Sequence, residues 1–166
     1  TVGAGGGSAA WINEVGILQV GPQSMGSMPG PACYGRGGDT PTVTDADVVL
    51  GYIDPDHFLG GRMEISRERA AEAIRTKIAE PLGIDVVEAA AAVYQIINAR
   101  MADLIRRVTV QRGHDPRDFV IAAFGGCGPT HSTAYGADIG VRLVVVPDSA
   151  TVFSAFGIGQ SDLKHA

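Results

Sequence analysis

The stretch FVIAAFGGCGPTHSTAYGADIG, residues 119–140, decides how the rest of the sequence is read. Phe119 to Phe124 is a short apolar run bounded by turn signals, which predicts a buried strand. Gly125, Gly126 and Gly128 follow it, and a helix is expected from about Thr130 to Ala137. A second apolar run, residues 141–146, predicts another buried strand. A last helix is expected from Ser149 through Phe156. Strand, glycine turn, helix, strand, helix argues for an α/β fold with parallel strands.

The earlier sequence fits the same class. A strand, a turn near Asn13–Gly16 and a second strand over residues 17–20 open the chain. Residues 23–44 are dense in glycine and proline, so a long ordered loop is expected there. Thr44 is expected to cap a short helix over residues 45–50, with Asp45 and Asp47 in its first turn. Ser66 caps a helix reaching about Ala79, which Pro81 and Gly83 stop. Asp85 and Glu88 form a capping-box pattern for the longest helix, roughly 86–111. Its apolar stripe is Val93, Ile97, Met101, Leu104 and Val108, and its wet side is Arg100, Asp103 and Arg107. Gly113 ends it and Asp115-Pro116 turns the chain.

The 166 residues suffice for one α/β domain with a core. Hydrophobic residues make up 45% and charged residues 19%, an ordinary globular balance. A formal net charge of −5 without a basic stripe argues against nucleic-acid binding. No apolar run reaches membrane-spanning length, and no signal-peptide pattern occurs. Two cysteines do not make a disulfide framework, so a cytoplasmic setting is expected. The chain opens on Thr1, directly in a motif, which suggests a piece of a longer protein.

Several stretches carry chemistry. In GAGGGS, Gly5, Gly6 and Gly7 allow several backbone N–H groups to face one anion, and Ser8 adds a hydroxyl. A hairpin turn or bulge explains the same residues without a ligand. No lysine follows, so this is not a P-loop. Gly125, Gly126 and Gly128 put N–H groups at a strand end and helix start, where α/β folds bind anionic ligands. The spacing does not fit a dinucleotide fingerprint. Cys127 with His131 could form a nucleophile and base, or Cys127 could be a small packed residue. Two ligands do not make a zinc site. His131 near a helix start suits substrate hydrogen bonding better than general base work. Asn98 sits on an apolar helix face and needs partners, from a ligand, the glycine loop or a neighbouring carbonyl. Asp45 and Asp47 could hold a metal or orient water, or could cap the helix. Arg36, beside Cys33 and Tyr34, could pair with an anion or lie in solvent. His57, His114 and His165 read as solvated surface residues.

TVGAGGGS, PGPACYGRGG with DTPTVTDADVVLG, FLGG with Met63, Asn98 with Met101, RGHDPRDFVIAAFGGCGPTH and FSAFGIGQSD occur in one order. Together they resemble the hydantoinase A/5-oxoprolinase family, whose members include ATP-dependent cyclic amidases and the acetone and acetophenone carboxylase subunits. The resemblance covers almost the whole chain. It implies a ribonuclease H-like, actin-like ATPase half-domain, with helices packed on a mixed sheet, residues 1–166 forming one partial domain. It implies ATP with Mg²⁺ as cofactor, and phosphorylation of a carbonyl oxygen before a cyclic amide ring opens. A ketone carboxylase subunit is the alternative, then a Cys127/His131 hydrolase or a non-catalytic fragment. By position Gly125, Gly126, Gly128 and His131 would lie near the adenosine end of the ATP site, with Gly5–Ser8 near the phosphates or substrate and Asn98 beside the nucleotide. Asp45 and His131 are the candidate catalytic groups. Cys127 stands where the family commonly has Ala, which favours its packing role. The family's upstream D-x-G-G-T phosphate motifs do not occur in this sequence, so the chain alone should be inactive. A hydantoinase B-type subunit or domain is the implied partner, and the isolated chain is expected to self-associate.

Overall fold

The computed structural model describes residues 3–161. His165, and the outermost residues of TVGAGGGS and FSAFGIGQSD, lie outside the described residues. The chain divides into two compact units, Thr1–Met101 and Ala102–Ala166.

The first unit opens with β1 (Ser8–Ile12) and β2 (Leu18–Ser24), an antiparallel pair with an irregularity between Ser8 and Ala10. The turn falls where the sequence places it. Asn13 Oδ1 accepts the N–H groups of Val15 and Ile17, and Gly16 supplies the left-handed residue at φ 80°. The glycine- and proline-rich stretch after β2 is a loop with one 3₁₀ turn, Ala32–Tyr34. α1 (Val43–Val49) is capped by Thr42, not Thr44, which lies inside the helix. The reason is a capping box: Thr42 accepts from the Asp45 N–H, and the Asp45 carboxylate reaches back to the Thr42 N–H.

Ser66 caps α2 (Arg67–Ile74) through the Arg69 N–H, as expected. The helix then widens into a π-helical turn, Arg75–Ala79, and resumes as α3 (Glu80–Leu82). Pro81 therefore does not end it. It lies in α3 directly after the π-helical turn, and the helix runs past it to Leu82. Gly83, at φ 67°, makes the stop. In α4 (Val86–Val110), Asp85 Oδ1 takes the Val87 N–H. Val93 and Ile97 are buried as expected, but Val108 is 44% exposed. Arg100 is not on a wet side: it donates to the carbonyls of Val20 and Gly21 on β2. Val20, Val43, Val48, Ile74, Ile78 and Val93 are essentially inaccessible, each contributing about 1.5–3 kcal/mol of burial.

The second unit holds the end of α4, β3 (Val120–Ala122), α5 (Gly128–Ile139), β4 (Leu143–Val145) and α6 (Phe153–Gln160). β3 and β4 pair in parallel, Val120 with Leu143, Ile121 with Val144 and Ala122 with Val145. The parallel strands are as expected; their burial is not. α5 packs on one face, where Gly136 lies against Val144 and Ile121. On the other face Val120, Leu143 and Val145 are exposed. Among the described residues there is also no single mixed sheet, but two separate two-stranded sheets.

Candidate functional site

The glycine loop ahead of β1 turns its carbonyls inward. Gly5 O accepts from the Ser8 N–H, Gly6 O from Thr44 and Gly7 O from Met25. Ser8, itself buried, accepts the Gly5 N–H on Oγ at 3.0 Å. The N–H groups of Gly6 and Gly7 bond to no other described residue. A loop with its acceptors consumed and two donors left over can bind an anion and repels little of its charge. The bond from Thr44 fixes the loop to α1.

Asp45 holds the next layer. It is fully buried, and its Oδ2 accepts from the Thr42 N–H and Oγ1, both at 2.8 Å, and from the Ala32 N–H at 3.2 Å. Its Oδ1 accepts from the Cys33 N–H at 2.8 Å. Both oxygens are thereby committed to the loop's backbone. Burial, then the Asp45 charge and its hydrogen bond to the thiol, push the Cys33 thiol far above its ordinary range. Cys33 is thus a packed, unreactive thiol. Asp47, two residues further along α1 and so on its other side, is equally buried.

Asn98 is buried on α4 and donates its side-chain amide to the Tyr94 carbonyl at 2.8 Å. Arg36 donates to the Ser27 carbonyl and lies over the Tyr34 ring, 5.6 Å from its centroid. His57 is exposed beside Asp54, and His114 meets the Phe119 ring edge-on.

In the second unit, Gly125 takes φ 85° at the end of the β3 segment, and its N–H donates to the Ala150 carbonyl. A Cβ on Gly125, Gly126 or Gly128 would meet nothing within 4 Å, so open space lies beside this turn. Cys127 is the N-cap of α5 and makes no side-chain cap. The helix start therefore keeps donors and dipole facing outward. His131, on the first turn, is 5% exposed, and Cys127 Sγ lies within 4.8 Å of a His131 ring nitrogen. The Tyr135 hydroxyl is pushed up by burial and then by Cys127. Ser132 Oγ donates to the Pro129 carbonyl, closing the first turn.

Sequence reasoning missed Arg100, whose position three residues beyond buried Ile97 was its only signal, and the clamp made by Asp45. The chain matches the Hydantoinase/oxoprolinase family over residues 1–166. It is 53% identical to the acetophenone carboxylase gamma subunit of Aromatoleum aromaticum, over 99% of this chain and 22% of that protein. The structure of ATP-dependent caprolactamase from Pseudomonas jessenii matches at TM-score 0.87 and 47% identity, over 96% of this chain and 23% of that one. A nucleotide-free acetone carboxylase structure matches at TM-score 0.90 and 37% identity, over 96% of this chain and 23% of that one. The chain thus spans less than a quarter of each of these relatives. With the match running from the first residue to the last, the chain belongs to the Hydantoinase/oxoprolinase family.

Proposed function

We propose that this chain is part of an ATP-dependent cyclic amidase, which phosphorylates a carbonyl oxygen before the ring is opened. The observation that carries this reading is the 47% identity, at TM-score 0.87, to a caprolactamase described as ATP-dependent. Caprolactam is itself a cyclic amide. In this reading the chain is one partial domain, the C-terminal half of a ribonuclease H-like, actin-like ATPase domain. The sequence contains no D-x-G-G-T motif, so the acidic grip on phosphate and Mg²⁺ comes from other parts of the polypeptide.

Bound ATP with Mg²⁺ supplies the phosphoryl group. The chain's own residues position and neutralise, which is most of what phosphoryl transfer asks of a protein. The spare N–H groups of Gly6 and Gly7, with Ser8 behind them, suit phosphate or substrate oxygens. Gly126 and Gly128 at the start of α5 leave room for close backbone approach by nucleotide. Asp45 serves as a positioning residue, since its oxygens are occupied by the loop it holds. His131 is the better candidate for a substrate hydrogen bond, and Asn98 lines the nucleotide side through α4. A hydantoinase B-type subunit completes the enzyme in a cytoplasmic setting.

A second reading, a ketone carboxylase subunit, is favoured by the 53% identity to the acetophenone carboxylase gamma subunit. Phosphate release by the longer polypeptide carrying this chain, with its partner subunit, separates the two. Release that depends on hydantoin, 5-oxoproline or caprolactam supports the amidase. Release that depends on a ketone with bicarbonate selects the carboxylase. Ring opening that proceeds without ATP and is lost in Cys127→Ala overturns the phosphorylation reading and restores the cysteine hydrolase.

A further inference from the structure

A cavity of about 400 Å³ in the first unit borders Ala32, whose N–H Asp45 holds, and lies outside the glycine loops discussed above. Gly35, Gly37, Gly38 and Asp39 form one wall; Arg69, Glu72, Thr76 and Lys77, on α2 and the π-helical turn, form the other. It shares no residue with Gly5–Ser8.

We propose that this cavity is a binding site for a small oxyanion, a phosphate or carboxylate group, held by Arg69 and the glycine backbone. The ion pairs decide which charged side chain is available to a ligand. Lys77 pairs with Asp39 at 3.4 Å, and Glu72 pairs with Arg75. Arg69 is left over: its guanidinium makes no hydrogen bond or ion pair with another described residue. Of the two cations on the lining, Arg69 is thus the one without an ion-pair partner among the described residues. A planar guanidinium matches the two oxygens of a carboxylate or phosphate.

The backbone agrees with the charge. Gly35, at φ 66°, lies so close to Arg69 that a Cβ there would collide with its Nη1. The absence of that Cβ lets the guanidinium lie along the loop. The N–H groups of Gly37 and Gly38 bond to no other described residue, so two donors are available on the same wall. Thr76 is not one of the donors, because its hydroxyl is committed to the Glu72 carbonyl at 2.9 Å. The opposite wall is the π-helical turn, a helix irregularity that recurs at binding sites. It advances Thr76 and Lys77 out of ordinary helical register. None of these features depends on the nucleotide reading above.

The test is a backbone-amide NMR titration of the 166-residue chain with sodium phosphate, sodium acetate and sodium chloride at matched ionic strength. Saturable shifts at Gly37 and Gly38 with phosphate or acetate, but not chloride, are expected. Tighter binding of phosphate identifies a phosphate-bearing ligand, and tighter binding of acetate a carboxylate. Arg69→Gln, an exposed position that leaves the core intact, should weaken binding at least tenfold; Arg69→Lys should retain part of it. Shifts that match those of chloride overturn the proposal. So does saturable binding that Arg69→Gln leaves unchanged. Shifts confined to Gly5–Ser8 or Gly125–Gly128 would belong to the nucleotide reading and would also overturn it.

Discussion

Asp45 illustrates how one buried carboxylate can be both a cap and a clamp. Its position at the third residue of α1 is local, and a capping box explains it. Its bonds to the Ala32 and Cys33 N–H groups cross 13 and 12 residues of loop. The charge is balanced by donors, not by a cation, so removing it leaves several buried N–H groups without an acceptor. Asp45→Asn, which places an amide NH₂ against those donors, should cost about 2–4 kcal/mol in urea unfolding. The thiols report the same clamp. Cys33 is 1% exposed, and burial with the Asp45 charge disfavours its thiolate; Cys127 is partly exposed. With a colorimetric thiol reagent near pH 8, one fast thiol and one strongly protected thiol are expected. Asp45→Asn should release the second. Equal reactivity of both in the wild type would contradict the clamp.

At the scale of elements, local chemistry was readable wherever the partners were near in sequence. The Asn13–Gly16 turn, the Ser66 cap and the Gly83 and Gly113 stops each depend on residues within four positions. The cap lies two residues earlier than the sequence predicts because Thr42 and Thr44 each stand three residues before an acid, Asp45 and Asp47, so this spacing does not choose between them; in the fold Thr42 takes the Asp45 N–H. The π-helical turn has no comparable signature. Charge usually faces water, so the sequence predicts a wet Arg100, whereas its guanidinium satisfies two strand carbonyls. The apolar runs of β3 and β4 predict burial, but apolar sequence does not say what covers it. The α5 packing gives a direct test. A Cβ on Gly136 would sit 2.9 Å from Val144 Cγ2 and 3.3 Å from Val141 Cγ2. Both neighbours are β-branched and stiff. Gly136→Val should therefore overpack this face and lower stability by about 1–3 kcal/mol in denaturant unfolding. A neutral or stabilising result would mean that α5 does not seat on the strands through Gly136.

At the scale of the whole molecule, the two units carry different amounts of finished surface. In the first, β1 is buried along Ser8–Ala10 and α1 is inaccessible through its whole length. In the second, Val120, Leu143 and Val145 leave one face of the parallel pair open, at 52%, 53% and 42% exposure. Parallel sheets are ordinarily covered on both faces, because each crossover helix lies against one of them. Here α5 supplies one cover, and the described residues supply no matching layer on the other side. Two adjacent strands also leave unpaired backbone at the sheet edges, a template for further strands. Exposed apolar surface of this kind promotes association in water. The isolated 166-residue chain should therefore self-associate through the second unit, with sedimentation velocity showing a mass that rises with concentration. Leu143→Glu puts a carboxylate on the open face, opposite Val120, without touching the α5 side. It should return the chain toward a monomer while leaving the α5-packed side folded, as judged by circular dichroism. A wild-type chain that stays monomeric over a wide concentration range would show that this face is satisfied in solution, and the argument from open strands would fail.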